Sequence, residues 1–235
     1  DGSQLLASTY IGGSGNDGIN DAIDLKFNYA DELRGEVELT PSGNILVASC
    51  TRSTDFPVTA GAYQTTFAGG SHDAVVFEMD AALDNMLWST YYGGTQADAA
   101  YSLEKDSGGD IFITGGTDSP DLPITSGTVG QTYNGGQADA FVASFSPDGS
   151  ALLSSTYYGS SAYDQFYLID MDETDNVYLF GQTKAPPGEL IANAAYSVND
   201  GGQLLAKLSH DLTTTLWTSR SGAFSGSGVG KPNIS

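Results

Sequence analysis

The sequence predicts an all-β fold made of repeated four-stranded units, and three observations carry that reading. One strand-like phrase recurs along the chain. It appears as Leu5-Leu6-Ala7-Ser8-Thr9-Tyr10, as Leu87-Trp88-Ser89-Thr90-Tyr91-Tyr92, as Leu152-Leu153-Ser154-Ser155-Thr156-Tyr157-Tyr158 and, more weakly, as Leu216-Trp217-Thr218-Ser219-Arg220. Other phrases return at one fixed spacing. No segment shows sustained helical periodicity with caps, while Tyr, Phe, Ile, Val and Thr dominate the candidate strands, as pleated, half-buried surfaces favour.

The spacing is set by several phrases at once. Met86 and Leu152 are 66 residues apart, and so are Asn44-Ile45-Leu46-Val47, Asp110-Ile111-Phe112-Ile113 and Asn176-Val177-Tyr178-Leu179 in turn. Asp55-Phe56-Pro57 matches Asp121-Leu122-Pro123, and Asp73-Ala74-Val75-Val76-Phe77 matches Asp139-Ala140-Phe141-Val142-Ala143. Agreement of many phrases at one offset marks an internal repeat. The first interval, Leu5 to Met86, is 81 residues, which leaves 15 extra residues within 15–33. Such an insertion is expected to form a surface loop or small excursion, often on a binding face. A helical turn is expected at 19–24.

Each unit offers four strand candidates, in the second repeat 87–92, 100–104, 110–115 and 140–145. Pro41-Ser42-Gly43-Asn44, Ser107-Gly108-Gly109-Asp110 and Thr174-Asp175-Asn176 supply residues that tolerate positive φ, so each joins a β-hairpin. The long segment 51–71 between the third and fourth candidates carries Phe56, Val58, Tyr63 and Phe67. A loop of that length inside a domain is expected to be ordered and pinned by those side chains. Its third copy departs, with Pro186-Pro187-Gly188 in place of Asp-Phe-Pro and Tyr196 one position late.

Four antiparallel strands per unit at this period predict the blades of a β-propeller. The expected organisation is one domain over 1–235, with repeats at about 5–85, 86–151 and 152–214, an incomplete unit at 215–235 and the insertion at about 15–33. That is about three blades and a fragment of a larger ring, with the weak copy at 216–222 opening a blade that stays unfinished.

Composition bounds the function. Forty per cent hydrophobic and 11% aromatic residues are enough for a buried core, which excludes a disordered chain. Eight Lys and Arg against 29 Asp and Glu give a net charge of −21. Such a charge repels phosphate backbones and anionic lipid, so neither nucleic-acid binding nor membrane insertion is expected. No run reaches transmembrane length. The one cysteine, Cys50, sits in an apolar run and is expected to be a buried, inert thiol. The chain starts at Asp1 without a signal peptide, which reads as a mature or excised piece of something longer.

The phrases Leu-Leu-x-Ser-Thr-Tyr-x-Gly-Gly, Ser-Gly-Asn-Ile-Leu-Val, Thr-Asp-Phe-Pro-Val-Thr-Ala-Gly-Ala-Tyr and Gly-Gly-Ser-His-Asp-Ala-Val-Val, running in order from Leu5 to Phe77, resemble the SBBP repeat. The resemblance extends over about 5–222. It implies a multi-bladed, commonly seven-bladed, propeller in a large secreted bacterial protein. The insertion before Arg34 and the ending 221–228 are similar to a Bacteroidota branch, in surface proteins with a gliding-motility-type C-terminal sorting domain. That similarity implies export by the type IX secretion system.

No constellation of catalytic, cofactor or metal residues stands out, and none of these is expected. His72 lies beside Asp73 where the next repeat has Ala138, and His210 stands where the preceding copy has Pro147. Both are expected in surface turns, away from any nucleophile a base would have to meet. Nothing singles out Asp98, Asp139 or Asp164 as a glycosidase carboxylate. Asp73 and Asp139 recur at one repeat position, which favours capping of backbone N–H groups, and Gly202 replaces them in the third repeat. Asp170-Met171-Asp172-Glu173-Thr174-Asp175-Asn176 has the alternating oxygens of a calcium loop but lacks its glycine and distal glutamate. It reads as a hairpin turn.

The expected function is a non-catalytic, secreted or cell-surface propeller that scaffolds or binds a protein or glycan partner on one loop face. Secretion-system components are among the candidates, with roles in adhesion or gliding. The alternative is an extracellular carbohydrate-active propeller, a hydrolase or lyase. It predicts acids clustered with Tyr and Trp along the ring axis.

Overall fold

The structure is a computed structural model that describes residues 3–26 and 29–223. Twelve strands follow one another almost without helix among those residues: β1 Glu36–Leu39, β2 Ile45–Thr51, β3 Asp73–Met79, β4 Met86–Tyr92, β5 Asp98–Lys105, β6 Ile111–Thr117, β7 Asp139–Phe145, β8 Leu152–Tyr158, β9 Asp164–Met171, β10 Val177–Thr183, β11 Gly201–Leu208 and β12 Thr215–Ala223. They form three antiparallel four-stranded sheets, ordered β1-β2-β3-β4, β5-β6-β7-β8 and β9-β10-β11-β12. One short 3-10 helix, Tyr29–Leu33, lies in the insertion.

The grouping differs from the sequence reading by one strand. The Leu-Trp-Ser-Thr phrase closes each sheet instead of opening it. Its weak copy at Leu216 lies in β12, paired with β11 from Gly201↔Ala223 to Leu208↔Thr215. It therefore completes the third sheet and starts no fourth one. The rest of the expected unfinished unit, 224–235, lies outside the described residues. The copy left without a sheet is the first, residues 5–10, which form no strand. A cyclic repeat carries no label for its own start. The phase is decided by the connections: Gly93–Ala97 and its counterpart step from one sheet to the next.

The sheets stack face on face, and strand parity sorts the residues. Leu46, Ala48, Ala74 and Val76 of the first sheet meet Leu103, Ile111, Ile113, Phe141 and Phe145 of the second. Phe112, Ala140 and Val142 of the second meet Ile169, Val177, Leu179, Leu204 and Leu208 of the third. Both faces of the middle sheet are covered, so all seven residues of β7 are buried. One tyrosine from each of β4 and β8 spans the junction to the next sheet. Tyr92 packs against Phe141 and Phe145 at 5.3 and 5.5 Å between ring centroids and shares a hydrogen bond with Ser155. Tyr158 packs against Phe166 at 5.3 Å and shares one with Thr218.

The long loops are pinned as their apolar residues predict. Tyr91 O–H donates to Ser53 O at 2.7 Å and accepts from Phe56 N–H at 2.9 Å. Tyr157 makes the same two bonds to Ser119 O and Leu122 N–H at 2.7 and 2.9 Å. In the third sheet Arg220 takes this place and donates to the carbonyls of Ala185, Pro186, Glu189 and Gly201. The Pro-Pro segment offers carbonyls but few N–H groups, so a donor-only side chain suits it.

The hairpin turns form as expected. Asp106 N–H donates to Asp110 O and Asp172 N–H to Asn176 O. Gly109 and Asp175 take positive φ, 95° and 59°.

Candidate binding face

The 15 extra residues interrupt a strand. Asp17 stands 81 residues before Asp98, the same offset that relates Leu5 to Met86. It bridges Thr51 as Asp98 bridges Thr117, and both threonine hydroxyls donate to their aspartates. Gly18 N–H still donates to Cys50 O at 2.8 Å. The chain then leaves the sheet and rejoins it at Glu36, opposite Ala48. The constant offset at Asp17 was a readable signal that the insertion begins after it and not at Gly15.

This excursion is anchored on the first strands of the second and third sheets and on β2 of the first. Asn20, Ala22, Leu25 and Asp31 are buried. Leu25 O accepts from Tyr101 O–H at 3.2 Å and Gln165 Nε2 at 3.2 Å, and Asn20 Nδ2 donates to the Tyr101 hydroxyl at 3.0 Å. Ala22 and Leu25 join Cys50, Tyr101, Tyr163 and Tyr167 in one cluster. The Arg34 guanidinium lies 3.9 Å over the Tyr167 ring and pairs with Asp31 at 3.1 Å. The helical turn expected at 19–24 does not form there; the one helix sits later, at Tyr29–Leu33. Beside the exposed Asp21, the excursion holds two large apolar side chains in solvent, Ile23 at 81% and Leu33 at 75% exposure.

His72 is the main correction. It is fully buried, not in a surface turn. Its Nε2 faces Ile19 O and Asp21 Oδ1, each at 3.0 Å, and its Nδ1 meets Ser71 Oγ at 2.9 Å. The two acceptors at 3.0 Å outweigh the longer approach of Asp21 N–H at 3.4 Å and place the ring proton on Nε2, and Nδ1 then accepts from Ser71. Burial holds the imidazole below its usual pKa, against the opposing pull of Asp21, so it is neutral at physiological pH. The order Ser71–His72–Asp21 looks like the hydrogen-bond chain of a hydrolase, but Asp21 is shared with Arg52 at 2.7 Å. Its charge is spent on that surface pair. The group works as a clasp that fastens the excursion to the start of β3. Ala138, the counterpart of His72, is also fully buried, so the position is internal in both repeats. Reading the residue type alone hid that.

His210 does lie in a surface turn. Its Nε2 meets Asp106 Oδ2 at 2.8 Å and its ring lies 5.3 Å from that of Phe112, tying the third sheet to the second. Cys50 is buried, and burial pushes its thiol up to about 12, which leaves no thiolate for chemistry.

The aspartates are structural caps at repeat positions. Asp98 Oδ2 accepts from Gly94 N–H at 2.8 Å and Ser119 O–H at 2.9 Å, and Asp164 Oδ2 accepts from Ser160 N–H at 2.7 Å. Asp73 Oδ2 caps Ala68 N–H at 2.7 Å and Asp139 Oδ2 caps Asn134 N–H at 2.6 Å. Gly93 and Gly159 bring these acids together. A Cβ on Gly93 would lie 2.7 Å from Asp73 Oδ1 and 2.9 Å from Asp98 Oδ2. Burial pushes Asp73 and Asp139 up to about 7.

In the 170–176 turn, Asp172 Oδ1 accepts from Thr174 N–H at 2.9 Å and Asn176 N–H at 3.1 Å, while Oδ2 pairs with Lys207 at 2.8 Å. Asp175 turns away to Ser107. Among the described residues, no three His, Cys, Asp or Glu side chains converge to hold a metal ion.

A row of acids does line the first strands at equivalent positions, Glu38, Glu104 and Asp170. Burial and then neighbouring acids raise Glu38 and Glu104: Glu36 acts on Glu38, and Glu38 and Asp170 act on Glu104. Trp88 and Trp217 lie on the opposite edges of their sheets, in β4 and β12. Among the described residues no helix is long and apolar enough to cross a membrane.

Compared with known proteins, the sequence matches no family model, and no curated protein matches it.

Proposed function

We propose that the stacked sheets are blades of a β-propeller and that the chain is a non-catalytic scaffold or binding module of a secreted or surface protein. The observation that carries this reading is the excursion between Gly18 and Glu36. Asn20, Ala22, Leu25 and Asp31 are buried against the sheets, while Ile23 and Leu33 are held out in water. An anchored element that displays isolated apolar side chains is suited to anchoring a protein or glycan partner. The phrases that resemble SBBP repeats support a larger ring, and the likeness to the Bacteroidota branch supports export by the type IX route and an adhesive or gliding role. The −21 charge argues against nucleic acid as the partner.

The test pairs the chain with an Ile23→Asp/Leu33→Asp variant on a glycan array and against immobilised surface-protein extracts. The proposal expects a ligand that the parent retains and the variant loses at unchanged melting temperature. Equal retention by both would refute the role of the excursion.

The carbohydrate-active reading is favoured by one feature, the raised pair Glu38 and Glu104. It requires turnover in a polysaccharide screen that is lost in Glu38→Gln or Glu104→Gln. Such turnover would displace the binding reading.

A further inference from the structure

The first copy of the recurring phrase and the free face of the first sheet lack the same partner. Three copies, β4, β8 and β12, close a sheet. At their tether position Tyr91, Tyr157 and Arg220 are 1%, 1% and 2% exposed. In the first copy the equivalent residue, Tyr10, is 103% exposed, with Leu5 and Leu6 at 83% and 93%.

The segment that follows is seated as in the other repeats. Gly13 N–H donates to Asp17 as Gly94 N–H does to Asp98. Ser14 bonds Asp55 as Thr95 bonds Asp121, and Gly15 N–H donates to Ser53 as Gln96 N–H does to Ser119. Ile11, the counterpart of the junction tyrosine Tyr92, packs with Val75, Phe77 and Met79 on the first sheet. The crossing into the first sheet is therefore complete, and the strand leading into it has nothing to pair with among the described residues.

The face beside it is covered along β3, where Val75, Phe77 and Met79 are buried, and open along β1 and β2. Leu103 and Ile169 are 2% and 7% exposed where the preceding sheet covers them, and their counterpart Val37 is 64% exposed. Ile45 and Val47 are only partly buried, while Ile111, Ile113, Val177 and Leu179 in the same places are buried.

We infer that residues 5–10 are the fourth strand of a further sheet of this repeat, one that supplies three strands and covers Val37, Ile45 and Val47. The occupant is specified by the copies. It must offer an antiparallel edge to Thr9, as β3 does to Thr90. It must also offer a long loop whose backbone can meet the Tyr10 hydroxyl, as Ser53 O and Phe56 N–H meet Tyr91. A second copy of this chain does not qualify, because β4, β8 and β12 already fill that place in all three of its sheets. The phrase Asp1-Gly2-Ser3-Gln4-Leu5 matches Asp148-Gly149-Ser150-Ala151-Leu152, the turn that leads from β7 into β8. The occupant is thus specified as three strands of this same repeat, ending in a turn of this type before Leu5. The inference rests on the stacking of sheets and holds whether or not the sheets close into a ring or bind a partner.

The test replaces residues 1–4 with a copy of residues 97–151, so that a third strand runs through its own turn into Leu5. Hydrogen exchange of residues 5–10 is then compared in the extended and parent chains. At least a tenfold slowing is expected in the extended chain, together with shielding of Val37 from hydroxyl-radical labelling. Thr9→Pro is expected to abolish the slowing there and to leave the parent's melting temperature unchanged. A second extension, with residues 36–85 in place of 97–151, guards against a first one that does not fold. If neither extension slows exchange at 5–10, the inference is wrong. Concentration-dependent protection of 5–10 in the parent would instead make a second copy the occupant and overturn it as well.

Discussion

The first and second sheets are written in nearly the same phrases, yet the second is enclosed on both faces and the first is open on one face along β1 and β2. Leu103 on β5 and Val37 on β1 hold the same repeat position, at 2% and 64% exposure. The tether tyrosines Tyr91 and Tyr157 of these sheets are both 1% exposed, while Tyr10, at the same position in the copy left without a sheet, is 103% exposed. The contrast teaches that these phrases specify a place in a stack. Their apolar and hydroxyl groups count only where a neighbouring sheet or loop meets them, and equal sequence carries unequal free energy.

The largest effect should separate the two sheets outright. Leu103→Ala is expected to cost about 2–4 kcal/mol, because the lost side chain leaves a cavity between two packed faces. Val37→Ala should stay within about 0.5 kcal/mol. Urea unfolding of both variants makes the comparison, and equal losses would break it.

The tether is next. Tyr157→Phe removes a hydroxyl that both donates and accepts inside the loop and should cost about 1–2 kcal/mol. Tyr10→Phe should change nothing measurable in the same titration.

A pH series sharpens the comparison at the junction acids. Asp139 has a pKa of about 7 in the folded chain against 3.8 for an unperturbed carboxyl. The folded chain therefore keeps a proton that the unfolded chain has lost, and stability from this group falls as pH rises between those two values. Asp139→Asn should flatten that fall. Its melting temperature should exceed the parent's at pH 8 and approach it near pH 4, with about 2–4 °C for each kcal/mol gained. A variant less stable than the parent at pH 8 would show that capping Asn134 matters more than the buried charge.

The smallest effect is expected at the exposed turn. Asp172→Ala loses the pair with Lys207 and local turn bonds, and should shift the melting temperature by no more than a few degrees. Calcium should shift neither chain. A calcium-dependent rise that the variant lacks would reinstate the cation loop.

Most of the strands were legible because Tyr, Ile, Val and Phe recur at fixed offsets and Gly43 and Gly109 punctuate the hairpins. The phase was not. Nothing local in Leu87-Trp88-Ser89-Thr90 says whether it opens or closes a sheet, since both edges of a β-sheet favour the same residues. The site was less legible still. His72 looks like a turn residue until the excursion from Gly18 to Glu36 is folded over it, and that contact joins residues far apart in sequence. Arg220 shows the same limit, because a cation in a strand reads as exposed until three carbonyls of a distant loop and one of β11 surround it.

Hydrogen exchange followed by mass spectrometry tests the central claim most directly, since the four copies of one phrase report side by side in one sample. Residues 88–92, 154–158 and 216–220 should exchange slowly and together, while residues 5–10 exchange at the rate of open chain. Equal protection of all four copies in the parent chain would contradict the account.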